Sequence, residues 1–169
     1  MISAILLAAG KSERMKRCKQ LIEIDGQPMI EKLTSTTLDS KVDETILVLG
    51  YKADDIRSRI VTENIDIVLN PDFEEGMSTS LKAGLREVDK ETEAILVVLG
   101  DQPLLESELI DRLIEEYEST DSPIVAPVYK GQRGNPVLLD ISLKDELLHL
   151  KGDIGARDII EEREEDVSL

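Results

Sequence analysis

The sequence has very few of the residues that build disulfides, zinc sites and aromatic stacking surfaces. Among its 169 residues there are one cysteine, Cys18, one histidine, His149, and no tryptophan. A single cysteine excludes an internal disulfide, and with a single histidine it excludes Cys- and His-rich metal sites. Aromatic residues make up 2% of the chain, so we do not expect a nucleobase to be recognised by stacking on several aromatic rings.

Positive charge and long apolar runs are scarce as well. The 36 acidic and 20 basic side chains give a net charge of −16, which disfavours binding to nucleic acid or to an anionic membrane. The apolar run over residues 4–9 is too short to span a bilayer, and no basic segment precedes it. We therefore expect a cytoplasmic protein with neither nucleic-acid nor membrane partners.

Apolar, β-branched runs alternate with stretches of helical periodicity along the chain. This alternation predicts an α/β fold with a mainly parallel sheet and helices on both faces, and the length predicts one domain over residues 1–169. Near the C-terminus two strand-like runs flank the turn at residues 130–134, which predicts a hairpin and a mixed sheet. Strands are predicted at residues 2–9, 45–49, 65–69, 94–99, 123–129 and 136–140, and helices at residues 28–40 and around 53–60, 81–88 and 109–117.

The loop after the first predicted strand combines a glycine with basic side chains. Five of the nine residues at positions 11–19 are Lys or Arg; glycine lets the backbone approach phosphates, and the cations neutralise their charge. A solvated, charged helix face is the alternative interpretation. Gly10, Lys11 and Ser12 imitate the end of a P-loop, but Ile5 stands where that motif has its first glycine.

Three further loops carry candidate chemistry, because ligands of such folds bind beyond the carboxyl ends of the strands. Residues 70–80 offer a glycine and three hydroxyls, with Ser78 as a predicted N-cap presenting free backbone amides. Asp101 directly follows an apolar strand, where a carboxylate could hold Mg²⁺ against triphosphate oxygens. A merely capped helix and a turn aspartate are the alternatives. Residues 131–136 and 152–157 combine turn glycines with polar side chains and could line a substrate cleft.

Taken in order, these segments resemble the molybdenum cofactor cytidylyltransferases of the MobA-like nucleotidyltransferase superfamily. The resemblance rests on LLAAGKSERM, CKQL, EGMSTSLKAGL, GDQPLL, GQRGNPVLL and GDIGAR, and it covers residues 2–160. It implies a three-layer, Rossmann-like fold of the glycosyltransferase-A type with a mixed, mainly parallel sheet. It also implies transfer of CMP from CTP to the terminal phosphate of molybdenum-bearing molybdopterin, with Mg²⁺ and release of pyrophosphate. A molybdoenzyme or its chaperone would receive the product.

The same resemblance implies roles for individual residues. Arg14 and Lys19 would stabilise the phosphates as catalytic residues together with Asp101, which would also bind the metal. The turn Ala8-Ala9-Gly10 and the glutamine after Asp101 favour CTP over GTP. The nucleotide-binding set is Leu7, Ala8, Ala9, Gly10, Lys11, Ser12, Asn70, Ser78, Thr79 and Ser80, and the substrate-binding set is Gln102, Arg133, Asn135, Asp153 and Arg157.

This sequence departs from the family pattern at Ser12 and at Asn135, and the second departure leaves other acceptors open. Ser12 stands where much of the superfamily has a second glycine, and Asn135 stands where the family has a histidine. The alternatives are a related guanylyl- or other nucleotidyltransferase with a different phosphorylated acceptor, and a non-catalytic nucleotide-binding protein.

Overall fold

A central β-sheet organises the chain in the structure, a computed structural model that describes residues 1–11, 18–61 and 63–169. The strands are β1 (Ile2–Ala8), β2 (Glu23–Ile24), β3 (Gln27–Pro28), β4 (Glu44–Leu49), β5 (Asp66–Leu69), β6 (Ala94–Leu99), β7 (Ile124–Val125), β8 (Val128–Tyr129), β9 (Gln132–Arg133), β10 (Val137–Asp140) and β11 (Val167–Ser168). Seven of them form the main sheet in the order β11-β7-β10-β6-β1-β4-β5.

Strand β1 lies at the centre of the sheet and pairs in parallel with β4 and β6. All seven of its residues are buried, as expected of an apolar run covered on both faces of a parallel sheet. Strand β5 adds in parallel outside β4, whereas β10 runs antiparallel to β6. The predicted mixed, mainly parallel sheet is confirmed.

Helices cover both faces of this sheet and give the predicted three layers. They are α1 (Met29–Leu38), α2 (Ala53–Arg57), α3 (Met77–Glu87), α4 (Ser107–Ser119), α5 (Lys144–His149) and α6 (Arg157–Glu162). Leu6 belongs to a buried cluster with Leu33 of α1 and Ile110 of α4. Ile5, which points to the other face, belongs to a cluster with Leu81 of α3 and Ile160 of α6. The alternation of side chains along β1 therefore divides the core between two helical layers.

The C-terminal half departs from the predicted elements: β9 lies within the predicted turn, and α5, α6 and β11 were not predicted. The strand expected over residues 123–129 is divided into β7, which pairs with β10 in the main sheet, and β8, which pairs with β9 in a separate hairpin. Pro127 stands between them, and proline has no N–H to continue a strand ladder. Among the described residues no helix has the length and apolar character needed to cross a membrane.

The strand directions gather several loops at one edge of the sheet. We call the edge where β1, β4, β5 and β6 end the carboxyl edge, and the edge where they begin the amino edge. At the carboxyl edge the Tyr51 N–H donates to Ala9 O at 3.0 Å and the Gly100 N–H to Leu7 O at 2.9 Å. Because β10 is antiparallel, the segment that precedes it, residues 134–136, also arrives at this edge.

Candidate active site

A cavity of about 800 Å³ opens at the carboxyl edge. Eight residues predicted from the sequence line it, and they come from four different loops: Leu7, Ala9, Gly10, Lys11, Lys19, Ser80, Asp101 and Asp153. The structure therefore brings the basic loop, the start of α3, the end of β6 and the 152–157 loop together around one space.

Lys19 reaches this cavity from a short 3₁₀ turn, Lys19–Leu21. Its neighbours Cys18 and Gln20 are both buried, and the Cys18 thiol donates to Gln20 Oε1 at 3.2 Å. With both flanking side chains held inside, the Lys19 amine extends towards the end of β6, where Nζ lies 3.9 Å from Asp101 Oδ2. A cation and a carboxylate proposed for the same phosphates are thus neighbours.

A second cation at the cavity, Lys11, forms an ion pair with Glu74. The Lys11 amine also lies 5.8 Å from the centroid of the Phe73 ring, a cation–π distance. Phe73 packs so closely on Gly50 that a Cβ built there would be 2.7 Å from Phe73 Cβ. Phe73 and Glu74 line the cavity, and the sequence analysis missed both because nothing in their spacing marks them.

Two glycines at this edge have different reasons to be glycine. A Cβ built on Gly100 would lie 2.6 Å from Leu7 O, so the fold itself leaves no room there for a side chain. A Cβ built on Gly10 would meet no atom of the described residues within 4 Å. Packing within the described part of the chain does not require a glycine at position 10, which is consistent with a requirement set by a ligand.

Asn70 holds the loop before α3 in place. It is 3% exposed, and its Nδ2 donates to Thr79 Oγ1 and to Ser80 Oγ, both at 2.9 Å. Its Oδ1 accepts the Asp72 N–H at 3.0 Å. Three residues predicted to bind nucleotide are therefore bonded to one another, and of these Ser80 lines the cavity.

The start of α3 differs from the prediction. The helix begins at Met77 with Gly76 as its N-cap, so the prediction that Ser78 is the N-cap is wrong. The predicted free amides are also occupied, since the Met77 N–H donates to Asp153 Oδ1 and the Ser78 N–H to Gly152 O, each at 3.2 Å. These contacts fix Asp153 beside the cavity.

Gly76 makes this docking possible. Its φ of +110° lies in the region that favours glycine, and a Cβ there would be 2.4 Å from the Gly152 carbonyl carbon. The 152–157 loop can therefore approach α3 closely only because position 76 lacks a side chain.

The other predicted residues lie around the cavity rather than in its lining. Ala8 is buried in the core, and the Arg157 side chain, 79% exposed, pairs with Glu161 at 3.9 Å. Arg133 and Asn135 are exposed on the hairpin side. Not found among the lining residues of the described chain are Ala8, Asn70, Ser78, Thr79, Gln102, Arg133, Asn135 and Arg157, and Ser12 and Arg14 lie outside the described residues. Their roles stay predictions.

The carboxylates at the cavity suit a divalent metal ion that binds together with the phosphates of a nucleotide. Within the described part of the chain no three His, Cys, Asp or Glu side chains come together as a metal-binding group. Asp101 and Asp153 nevertheless line the same cavity. Mg²⁺ is usually held by one or two carboxylates, with substrate phosphates and water completing the shell. The residues present therefore fit a divalent ion shared with a nucleotide.

Comparison with known proteins places this geometry in a family context. Residues 4–167 match the MobA-like NTP transferase domain. The chain is 33% identical to nicotine blue oxidoreductase of Paenarthrobacter nicotinovorans, over 92% of this chain and 79% of that protein. It is 28% identical to molybdenum cofactor cytidylyltransferase of Escherichia coli, over 82% and 69%. Against the bifunctional protein GlmU of Staphylococcus epidermidis identity is 32% over 72% of this chain, which spans only 27% of that protein.

Solved structures agree with the fold. A nucleotidyl transferase from Methanothermobacter superposes with a TM-score of 0.82 at 25% identity, covering 96% of this chain and 82% of that one. A complex of the Mycobacterium tuberculosis protein Rv0371c with manganese gives a TM-score of 0.83 at 26% identity, covering 95% and 82%.

Proposed function

Because the chain belongs to the MobA-like NTP transferase family, we propose that it transfers CMP from CTP to the terminal phosphate of molybdenum-bearing molybdopterin. The observation that carries the proposal is the Lys19–Asp101 pair beside the Gly10 turn, in one cavity at the carboxyl edge. A volume of about 800 Å³ falls within the usual range of small-molecule sites.

The reaction joins an oxygen of the acceptor's phosphate to the α-phosphorus of CTP. The bond from that phosphorus to the oxygen that bridges the α- and β-phosphates breaks, and pyrophosphate leaves with the electron pair. The attacking phosphate is already ionised near neutral pH, so no side chain is needed as a general base. Catalysis then depends on positioning and on stabilising the charge that builds on the bridging oxygens.

Lys19 supplies positive charge for the leaving pyrophosphate in this proposal. Asp101 would hold Mg²⁺, with Asp153 lining the same cavity, and the bound ion would supply a Lewis acid for the phosphate oxygens. The Gly10 turn would let the backbone approach the phosphates. Arg14, which the family resemblance assigns to the same task, lies outside the described residues.

The choice of CTP and of a pterin acceptor rests on family likeness. Ala8-Ala9-Gly10 and Gln102 agree with the cytidylyl branch, and one relative is named a molybdenum cofactor cytidylyltransferase. We propose that the acceptor is bound by Arg133, Asn135 and Arg157. A molybdoenzyme or its chaperone would then receive the product.

A second candidate is an oxidoreductase. It is favoured by one observation, namely that a relative covering 92% of this chain at 33% identity is named nicotine blue oxidoreductase. An oxidoreductase would consume a reduced nicotinamide cofactor or another electron donor without releasing pyrophosphate, so the products of the two reactions separate the candidates.

The test incubates the protein with Mg²⁺ or Mn²⁺, each of the four nucleoside triphosphates, and molybdenum-loaded molybdopterin, and measures pyrophosphate. We expect release that requires the pterin and is fastest with CTP. Fastest release with GTP would move the protein to the guanylyl branch. Absence of release with every nucleotide would refute the transferase proposal, and oxidation of NADH or NADPH in a parallel reaction would support the second candidate.

A further inference from the structure

Both ends of the Gln102 side-chain amide are bonded to backbone. Its Oε1 accepts the Leu99 N–H at 3.2 Å, and its Nε2 donates to Asn135 O at 3.0 Å. The first partner is the last residue of β6, and the second is in the segment that enters β10. Gln102 therefore spans the junction between the two strands at the carboxyl edge.

This bridge uses a property that few side chains have. A primary amide accepts at its oxygen and donates from its nitrogen at the same time. A carboxylate of the same length cannot donate, and a methionine of similar length cannot donate and accepts only weakly. Asparagine has the amide but is one methylene shorter.

The bridge controls the residue that precedes it. On its N-terminal side Asp101 follows Gly100, whose N–H donates to Leu7 O at 2.9 Å and which has no room for a side chain. On its C-terminal side it precedes Gln102, which folds back onto Leu99. The exposed Asp101 is thus held between two anchored neighbours, and its orientation depends on both.

The second bond extends the same control to the acceptor side. Asn135 O belongs to the loop that carries Arg133 and Asn135, the residues proposed to meet the acceptor. Leu96 and Leu138 are partners in the antiparallel register of β6 and β10, so the strands fix the base of this loop. Beyond the strands, the Gln102 bond is a direct link between that loop and the Asp101 turn.

We propose that Gln102 is a positioning residue, which orients Asp101 towards the metal-bound phosphates and ties that orientation to the 131–136 loop. The inference rests on the proposed function only for the role of Asp101. It changes the predicted role of Gln102 from substrate binding to positioning, because the amide oxygen and nitrogen are each bonded to backbone.

The test compares Gln102→Met, which removes both bonds, with Gln102→Asn, which keeps the amide but shortens it. Leu104→Ala is the matched control, since Leu104 is in the same turn and 84% exposed. The first measurement is amide hydrogen exchange at Leu99 and in the peptide covering residues 132–137. The second is Mn²⁺ binding in the presence of CTP, followed by electron paramagnetic resonance. The third is CTP binding in excess chelator.

We expect Gln102→Met to speed exchange at both places by about tenfold and to weaken Mn²⁺ binding by about five- to tenfold. Gln102→Asn should show a smaller change in the same direction, and Leu104→Ala none. CTP binding without metal should stay within about twofold of the unchanged protein. This split separates positioning of a metal ligand from a general loss of structure.

Unchanged exchange in Gln102→Met would overturn the bridge, and faster exchange with unchanged Mn²⁺ binding would overturn its effect on Asp101. Weaker metal-free CTP binding with unchanged Mn²⁺ binding would instead assign Gln102 to direct nucleotide contact. If the unchanged protein binds Mn²⁺ with CTP but releases no pyrophosphate, the proposed function fails while the Gln102 test remains decisive. If it binds no Mn²⁺ with CTP, both proposals are overturned.

Discussion

Two polar contacts at the amino edge of the central sheet and two ion pairs at the carboxyl edge differ in charge and burial. At the amino edge polar groups bind one another or backbone: Ser3 Oγ and Thr92 Oγ1 are 2.8 Å apart, and Tyr117 OH donates to Asp140 Oδ2 at 2.5 Å. At the carboxyl edge the pairs Lys19–Asp101 and Lys11–Glu74 border a cavity, and these four side chains are 33–63% exposed.

Exposed ion pairs add little to stability, typically about 0 to 1 kcal/mol. The pairs at the carboxyl edge are therefore poorly explained as devices that hold the fold together, whereas the buried Ser3–Thr92 contact at the amino edge is well explained in that way. Substitutions in these ion pairs should change turnover more than folding, and substitutions in the amino-edge contacts should do the reverse.

The largest effect is expected for Asp101→Asn. Loss of the charge that we propose for metal binding should lower the rate of pyrophosphate release by about 10³-fold or more, while the unfolding free energy stays within about 0.5 kcal/mol. Asp43→Asn is the control at the amino edge, where Asp43 Oδ2 accepts the Ile2 N–H at 2.7 Å. Equal rates for Asp101→Asn and the unchanged protein would show that Asp101 is not catalytic.

Lys19→Ala should come next, with a rate of transfer about 100-fold lower. Because we assign Lys19 to the charge that develops as pyrophosphate leaves, the dissociation constant for CTP should rise by less than about threefold. Single-turnover kinetics together with equilibrium binding measure the two quantities. Similar losses in both would argue against a transition-state role.

Gly76→Ala tests a structural demand at the carboxyl edge. The new Cβ would meet the Gly152 carbonyl in a backbone conformation that favours glycine, so we expect about 2–3 kcal/mol of destabilisation in denaturant unfolding. Gly26→Ala is the matched control, because Gly26 also has a positive φ, +85°, but meets no described atom within 4 Å. It should cost about 1 kcal/mol. Equal costs would mean that the 152–157 loop adapts freely.

Gly10→Ala should show whether glycine is needed at this position for ligand binding or for folding. The unfolding free energy should change by less than about 0.5 kcal/mol, whereas CTP binding, measured by calorimetry, should weaken by about tenfold because a methyl group then stands between backbone and phosphate. Loss of stability with unchanged CTP binding would reverse the interpretation of this turn.

Tyr117→Phe should have the smallest effect, about 1 kcal/mol of stability with no change in pyrophosphate release. Burial raises the pKa of Asp140, but hydrogen bonds from Ser142 and Tyr117 outweigh it and leave that pKa below its usual 3.8. A carboxyl whose pKa is lower in the folded state stabilises the protein at neutral pH, and this contribution is lost as the pH falls through the folded-state value. Tyr117→Phe should therefore lose less stability below about pH 4 than the unchanged protein, as acid unfolding would measure.

Much of the fold was predictable because apolar periodicity is a local signal. The central strand, the two helical layers and the position of Asp101 after β6 all followed from runs of apolar residues with the right spacing. The division of residues 123–129 into two strands was missed. The interruption at Pro127 has its effect only in the folded chain, where β7 pairs with β10 and β8 pairs with β9.

The site was less predictable because its key contacts join distant parts of the chain. Asp153 bonding the Met77 N–H and Gln102 bonding Asn135 O are between residues 76 and 33 positions apart. Serine is a residue type that favours the N-cap position. In the structure, however, Gly76 is the N-cap, and the Ser78 N–H bonds to Gly152 O across the chain. Phe73, the single phenylalanine, packs on Gly50, which is distant in sequence, and lines the cavity.

The central place of β1 also constrains how the chain is made. β1 leaves the ribosome before either of its partners, and the later of the two, β6, begins at Ala94. Until β6 has been synthesised, one side of this apolar strand stays unpaired, and such a state is prone to aggregation. Since Leu7 and Asp153 line the same cavity, the candidate active site is complete only after the 152–157 loop has been synthesised, later than the pairing of β1 with β6.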